Sequence, residues 1–336
     1  MNAKSAIRTR PRVVLVLQGG GALGAYQAGV YQALHEHGLT PDWVVGTSIG
    51  AVTAALIAGN ERSTRLARLK AFWDEVSHQD LLDMRRVPDP VRRVNIWLTT
   101  IDSVMRGVPG FYALRWFNPF AAGLSVEAEK ASFYDTSPLE ETLTRLVDLH
   151  CLNVTSGIRL TVSAIKVKYG RLDSFDTAHQ EVSIKHVMAS GALPPGFPPV
   201  RIDGELYWDG GLYSNTPLEI VLADEPQVDT ICFMVDLWSP VGPEPKSIEQ
   251  VQTRQKDVLY ASRSRRHIDA YLRGYKLRRL ARALGEKVPP DQLSAEERKE
   301  LEAIERNDTT LHIVRLAYAG RDWQMASKDI NFSKGS

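Results

Sequence analysis

Ser48 stands in Gly46-Thr47-Ser48-Ile49-Gly50, between the apolar run Trp43-Val44-Val45 and the small-residue run that starts at Ala51. A strand that turns sharply into a helix exposes such a serine hydroxyl as a nucleophile for acyl transfer. Gly46 and Gly50 suit that turn, because a Cβ at either place would press backbone against backbone. The helix that follows would aim its N-terminal amides and the positive end of its dipole at the serine, favouring negative charge there. The spacing alone is common in glycine-rich chains, so its meaning depends on its surroundings.

A second glycine cluster, Gln18-Gly19-Gly20-Gly21-Ala22-Leu23-Gly24, follows an apolar run at 13–17 and opens into a helix over 25–37. Gly19, Gly21 and Gly24 satisfy the G-x-G-x-x-G dinucleotide fingerprint. The other reading is a loop whose backbone amides hold an oxyanion. A dinucleotide site wants a carboxylate at the end of the second strand, to bind ribose. Here Asp42 precedes that strand and Gly46-Thr47-Ser48 follows it. The context therefore favours the oxyanion loop, with donors among Gly19, Gly20, Gly21 and Gly24.

A serine hydroxyl also needs a neighbour to take its proton. His267 and His312 come late enough for the Ser, Asp, His order of elbow hydrolases. His267 lies in a basic helical stretch, however, and His312 inside a strand candidate. Asp209 is the better base. It follows Leu206-Tyr207-Trp208 and begins Asp209-Gly210-Gly211, where Gly210 and Gly211 let backbone and ligand approach closely. The bland alternative is a plain Asp-Gly turn, as expected at Asp203-Gly204.

These residues need a frame to hold them. The first sixty positions alternate strand and helix, which predicts a parallel sheet covered on both faces. From 85 to 135 the pattern degrades among Pro88, Pro90, Pro109 and Pro119 and a run of aromatics. Within it, the Pro- and aromatic-rich stretch from Gly107 to Phe120 is either a lid or acyl-binding wall, or an irregular surface layer. Ser137-Pro138-Leu139-Glu140 predicts a helix start with a capping box. Strands are expected at 159–167, 171–175, 200–208 and 228–237. Beyond a Pro-rich boundary at 240–245, residues 246–287 are helical and carry twelve Lys/Arg against four Asp/Glu. Ser294 and Glu297 cap a further helix, and 311–318 reads as a last strand.

Composition restricts the rest. The chain has 336 residues, 43% hydrophobic and 24% charged, with a net charge of +1 that argues against nucleic acid as a partner. Cys151 and Cys232 are too few for a disulfide framework and suggest a reducing compartment. The first apolar run is too short for a signal peptide, so a cytoplasmic location is expected. The basic C-terminal helices could contact a membrane peripherally. No cluster with metal-ligand spacing appears, and no metal or organic cofactor is implied.

Gly19-Gly20-Gly21-x-x-Gly24, Gly46-x-Ser48-x-Gly50 and Asp209-Gly210-Gly211, in this order, resemble the three signatures of patatin-like phospholipases. So do Ala189-Ser190-Gly191-Ala192-Leu193-Pro194 before the aspartate and Asn215-Thr216-Pro217 after it. The resemblance implies a catalytic domain over 12–238, with the insertion at 85–135, and a three-layer α/β/α sandwich with a mainly parallel central sheet. Residues 246–336 form a basic helical extension with a final strand. It implies a Ser48–Asp209 dyad without histidine, acting on lipid or lipid-like acyl esters through an acyl-enzyme. Leu23 stands where the family usually has Arg or Lys, which favours a neutral ester over a phospholipid. Two other classes stay open: a nucleotide-dependent oxidoreductase, and a non-enzymatic scaffold that binds lipid or protein through its basic helices.

Overall fold

The computed structural model describes residues 10–77, 88–115, 125–154, 157–225, 228–261, 263–289, 292–306, 309–320 and 327–333. The chain runs β1 (Arg12–Leu17), α1 (Ala25–Glu36), β2 (Trp43–Gly46), α2 (Ile49–Ala58), α3 (Arg65–Glu75) and α4 (Asp89–Arg106). It continues through β3 (Gly107–Val108), β4 (Tyr112–Leu114), β5 (Tyr134–Asp135), α5 (Ser137–Leu146), α6 (Leu149–Asn153), β6 (Arg159–Lys166) and β7 (Arg171–Asp176). Then come α7 (Ile184–Ser190), β8 (Val200–Ile202), β9 (Glu205–Asp209), α8 (Leu218–Leu222) and β10 (Thr230–Asp236). The last elements are α9 (Ile248–Ala261), α10 (Arg263–Gly285), α11 (Ala295–Arg306) and β11 (Leu311–Ala317).

The main sheet runs in the order β11-β10-β1-β2-β6-β9-β8, with β7 also paired to β6. The first five strands of that order are mutually parallel. Side chains alternate faces along a strand, and this alternation makes the layers. Leu15, Leu17 and Val44 join a core built with α1, α2, α3, α5 and α7. Val14, Val16, Trp43, Val45, Cys232 and Met234 pack on the other face against Leu218 and Val221 of α8, with Ile268 of α10 at the edge. The result is the expected three-layer α/β/α arrangement. Every residue of α2 is buried, as befits a helix that is apolar all round and enclosed by other layers.

One departure from parallel order positions the site. β7 runs antiparallel to Thr161–Lys166 along one edge of β6. On the opposite edge β2 pairs with Arg159 to Val162, and β9 with Ala164 to Lys166 in the reverse sense. β2 and β9 thus point at each other and stop at Gly46 opposite Val162 and Asp209 opposite Ala164, with Ser163 between.

Two sequence readings need correction. No capping box starts α5: Thr136 is its N-cap, and the Asp135 carboxylate accepts from the Ser137 amide instead. The prolines at 88 and 90 do not end regularity, since Pro90 sits in the first turn of α4, where the missing N–H costs nothing. The Ser294–Glu297 box is present, each side chain bonded to the other's backbone. The last expected strand is β11, which joins the main sheet beside β10. His312 pairs with Ile231 there, at the opposite end of the parallel strands from Ser48. The His267 side chain lies outside the described residues.

Candidate active site

Ser48 caps the N-terminus of α2 with φ 58° and ψ −127°, a left-handed backbone that L-residues avoid except where the surroundings enforce it. The enforcement is steric. A Cβ on Gly46 would lie 2.3 Å from the Gly50 carbonyl oxygen, and one on Gly50 2.3 Å from the Leu17 carbonyl oxygen. Only glycine at both places lets β2 turn into α2 this tightly. The Ser48 amide donates to Ser190 Oγ at 3.1 Å, which ties the elbow to the end of α7.

The glycine loop is fixed by a buried hydrogen-bond set that starts at Gln18. Gln18 Oε1 accepts from the Leu237 and Trp238 amides at 2.5 and 3.1 Å, and Gln27 Nε2 donates to the Gln18 carbonyl at 2.6 Å. The Gly19 carbonyl accepts from Asn215 Nδ2 at 3.0 Å and from Trp238 Nε1 at 2.8 Å. The Gly19 amide is itself spent on the Asn215 carbonyl at 3.0 Å. The Gly20 and Gly21 amides have no acceptor among the described residues, and both glycines border the cavity. Gly24 faces elsewhere, with Ile49 and Trp73 filling the space a Cβ would need. Of the four glycines expected to hold an oxyanion, Gly19 spends its amide on Asn215 and Gly24 packs against Ile49 and Trp73, while the Gly20 and Gly21 amides border the cavity without an acceptor among the described residues.

Asp209 ends β9 and is 2% exposed. Its Oδ1 accepts from the Gly211 amide at 2.7 Å, and its carboxyl also interacts with the Ser48 hydroxyl. Burial pushes Asp209 up to about 7, while the bonds from Gly211 and Ser48 oppose the rise. A carboxylic acid in an apolar enclosure prefers its neutral form. Gly210 lies against the Ser163 carbonyl, and Gly211 lies between Asn215 and Asp209, so neither has room for a larger residue.

Ser48, Asp209, Gly20 and Gly21 open into a cavity of about 300 Å3. Its far wall is aromatic: Phe111, Tyr112, Tyr134 and Phe197 meet at centroid distances between 4.8 and 6.2 Å. Phe111 and Tyr112 are buried, so this part of the aromatic segment is a cavity wall and not a surface layer; residues 116–120 lie outside the described residues. No lysine or arginine lines the cavity among the described residues. Leu23 is buried in the main core.

Sequence reasoning missed Asn215, Trp238 and Ser190 as supports, although two of them sit in the flanks that carry the resemblance. It also missed Asp329, Ile330 and Phe332, which line the cavity from the far end of the chain. The tail offered no local pattern to read.

The family model described as patatin-like phospholipase matches residues 15–222, and a second, described as patatin phospholipase, matches 258–336. Human patatin-like phospholipase domain-containing protein 6 is 30% identical over 215 residues, covering 64% of this chain and 13% of that protein. The uncharacterized protein YqhO of Bacillus subtilis is 28% identical over 208 residues, covering 60% of this chain and 64% of its own. Among solved structures, VipD from Legionella pneumophila aligns over 73% of this chain and 53% of its own, with a TM-score of 0.37 and 19% identity. The chain therefore spans only part of the relatives it matches. With the first family model covering most of the three-layer sheet and all three glycine-bearing motifs, the chain belongs to the patatin-like phospholipase family.

Proposed function

We propose that this protein is a serine acyl hydrolase that cleaves lipid or lipid-like esters through a Ser48–Asp209 dyad. The observation that carries the reading is a left-handed Ser48 beside a buried Asp209 whose carboxyl interacts with its hydroxyl, both lining one apolar cavity. As the Ser48 oxygen attacks an acyl carbonyl, Asp209 accepts the hydroxyl proton. The Gly20 and Gly21 amides and the α2 N-terminus stabilise the tetrahedral oxyanion. Collapse expels the alcohol, which takes the proton back from Asp209, and leaves an acyl ester on Ser48. Water then attacks that ester, Asp209 again accepting the proton, and the acid departs as the serine is restored.

A base is most effective when its pKa is near the working pH, and Asp209 at about 7 meets that condition. The cavity favours a neutral ester: no lysine or arginine lines it among the described residues to pair with a phosphate. A hydrolysis panel of p-nitrophenyl esters, monoacylglycerols and phospholipids tests this, with turnover expected on the neutral esters and lost in Ser48→Ala. An inert wild-type protein that binds NAD(P) tightly would favour the oxidoreductase reading instead.

Peripheral membrane contact has one supporting observation. Leu277, Leu280 and Leu284 of α10 are more than half exposed in a helix rich in arginine, a pairing of apolar and cationic side chains that suits an anionic lipid surface. Flotation with anionic vesicles, reduced by Leu280→Glu, tests it.

A further inference from the structure

The last described segment, residues 327–333, does not trail from the fold. It crosses the site as a strap. At its centre the Asp329 carbonyl accepts the Ala22 amide at 2.8 Å, so the strap is bonded directly to the glycine loop. The approach is close: a Cβ on Gly21 would lie 2.0 Å from that carbonyl oxygen. Two adjacent residues of the strap are anchored by charge to α9. Lys256 holds the Asp329 carboxylate at 2.7 and 2.9 Å, and Lys328 holds Asp257 at 2.7 Å. Lys328 also lies 5.0 Å from the Trp238 ring, whose indole N–H grips Gly19.

On its other side the strap is stitched to α4. Thr100 donates to Ser327 Oγ at 3.0 Å, Thr99 to Asn331 Oδ1 at 3.3 Å, and Asn331 Nδ2 to the Ile96 carbonyl at 3.4 Å. These bonds fix the direction of the next side chain. Phe332 is 4% exposed, stacks on Trp73 at 6.4 Å and meets Phe111 at 5.4 Å. With Ile330 it lines the same cavity as Ser48 and completes the aromatic wall.

We infer that this C-terminal strap is a constitutive wall of the acyl pocket and that Phe332 sets the acyl length the enzyme accepts. The inference rests on the hydrolase reading of the cavity and assigns part of the substrate site to the C-terminal extension. An apolar wall discriminates by the methylenes it admits, each worth about ten-fold or more in specificity. Shortening the side chain at 332 deepens the pocket, and enlarging it makes the pocket shallower.

The test uses the full chain with Phe332→Ala and Phe332→Trp, after circular dichroism and melting have shown that each is folded. Hydrolysis is read across p-nitrophenyl esters of rising acyl length. In parallel, Ser48→Ala versions of all three proteins are titrated with fatty acids of rising length, by displacement of a fluorescent fatty acid. Phe332→Ala is expected to shift both profiles toward longer chains, raising the long-to-short ratio about ten-fold; Phe332→Trp shifts them toward shorter ones. If fatty-acid binding moves in this way while no protein hydrolyses any ester, the strap assignment holds and the hydrolase reading falls. Length profiles that coincide in all three folded proteins overturn the inference.

Discussion

Thr47 and Ser163 meet hydroxyl to hydroxyl at 2.9 Å, both fully buried, at the seam where β2 and β9 abut on one edge of β6. Thr47 immediately precedes Ser48, and Ser163 occupies the single position of β6 between the partners of Gly46 and Asp209. This contact therefore sets the distance between two side chains that arrive from opposite directions. It explains how residues so far apart in the chain become neighbours: Ser48 follows the end of β2, Asp209 ends β9, and one shared strand holds both in register.

Ser163→Val should break the seam while keeping the strand. Losing a buried hydroxyl pair costs about 1–3 kcal/mol, read as a lower midpoint in urea. The catalytic effect should appear as a fall in kcat with KM nearly constant, because the acyl cavity is untouched. A KM effect with unchanged kcat would mean that the seam does not align the dyad.

The Asp209 environment predicts a pH profile. A base must be unprotonated to work, so kcat/KM should rise with pH through a single ionisation near 7. A profile already flat below pH 5 would place the ionisation of the working base elsewhere.

The same burial has a stability consequence of opposite sign. Folding raises Asp209 from its ordinary 3.8 to about 7, so the native state holds a proton that the unfolded chain has lost between these values. Stability is therefore lost as pH rises across that window. Asp209→Asn removes the penalty. It should lower kcat about 10²–10⁴-fold and yet melt higher than wild type above pH 7, the difference vanishing below pH 4. Melting curves across that range check the sign, and a mutant less stable at every pH would contradict it.

Gly21 tests the contact between loop and tail. Its φ of +55° and the Asp329 carbonyl oxygen, which would lie 2.0 Å from a Cβ there, leave no place for a methyl group. Gly21→Ala should cost about 1–3 kcal/mol from backbone strain. By displacing an oxyanion donor, it should also lower kcat about 10²-fold or more. Gly29→Ala is the control, since α1 has open space there and activity should stay normal.

Much of this site was legible because its signals are local. The nucleophile elbow needs glycine within two residues of Ser48, and the glycine loop opens straight into α1, so short stretches of sequence carry their geometry. Asp209 was legible only through its glycines and the resemblance, because the seam on β6 is a pairing of distant segments. The strap was not legible at all. Asp329 meets Ala22 through a backbone carbonyl, which no residue type announces, and Phe332 reads as an ordinary apolar residue near a chain end. Helix α4 is hidden for a different reason: Pro90 reads as a breaker, yet its place in the first turn makes it a helix start.

The most direct measurement is covalent labelling of the intact protein with an alkyl fluorophosphonate, followed by mass spectrometry of the digested product. A single adduct on the Ser48 peptide is expected, absent from Ser48→Ala and formed much more slowly by Asp209→Asn. Equal labelling of Ser48→Ala, or unchanged labelling in Asp209→Asn, would contradict the dyad.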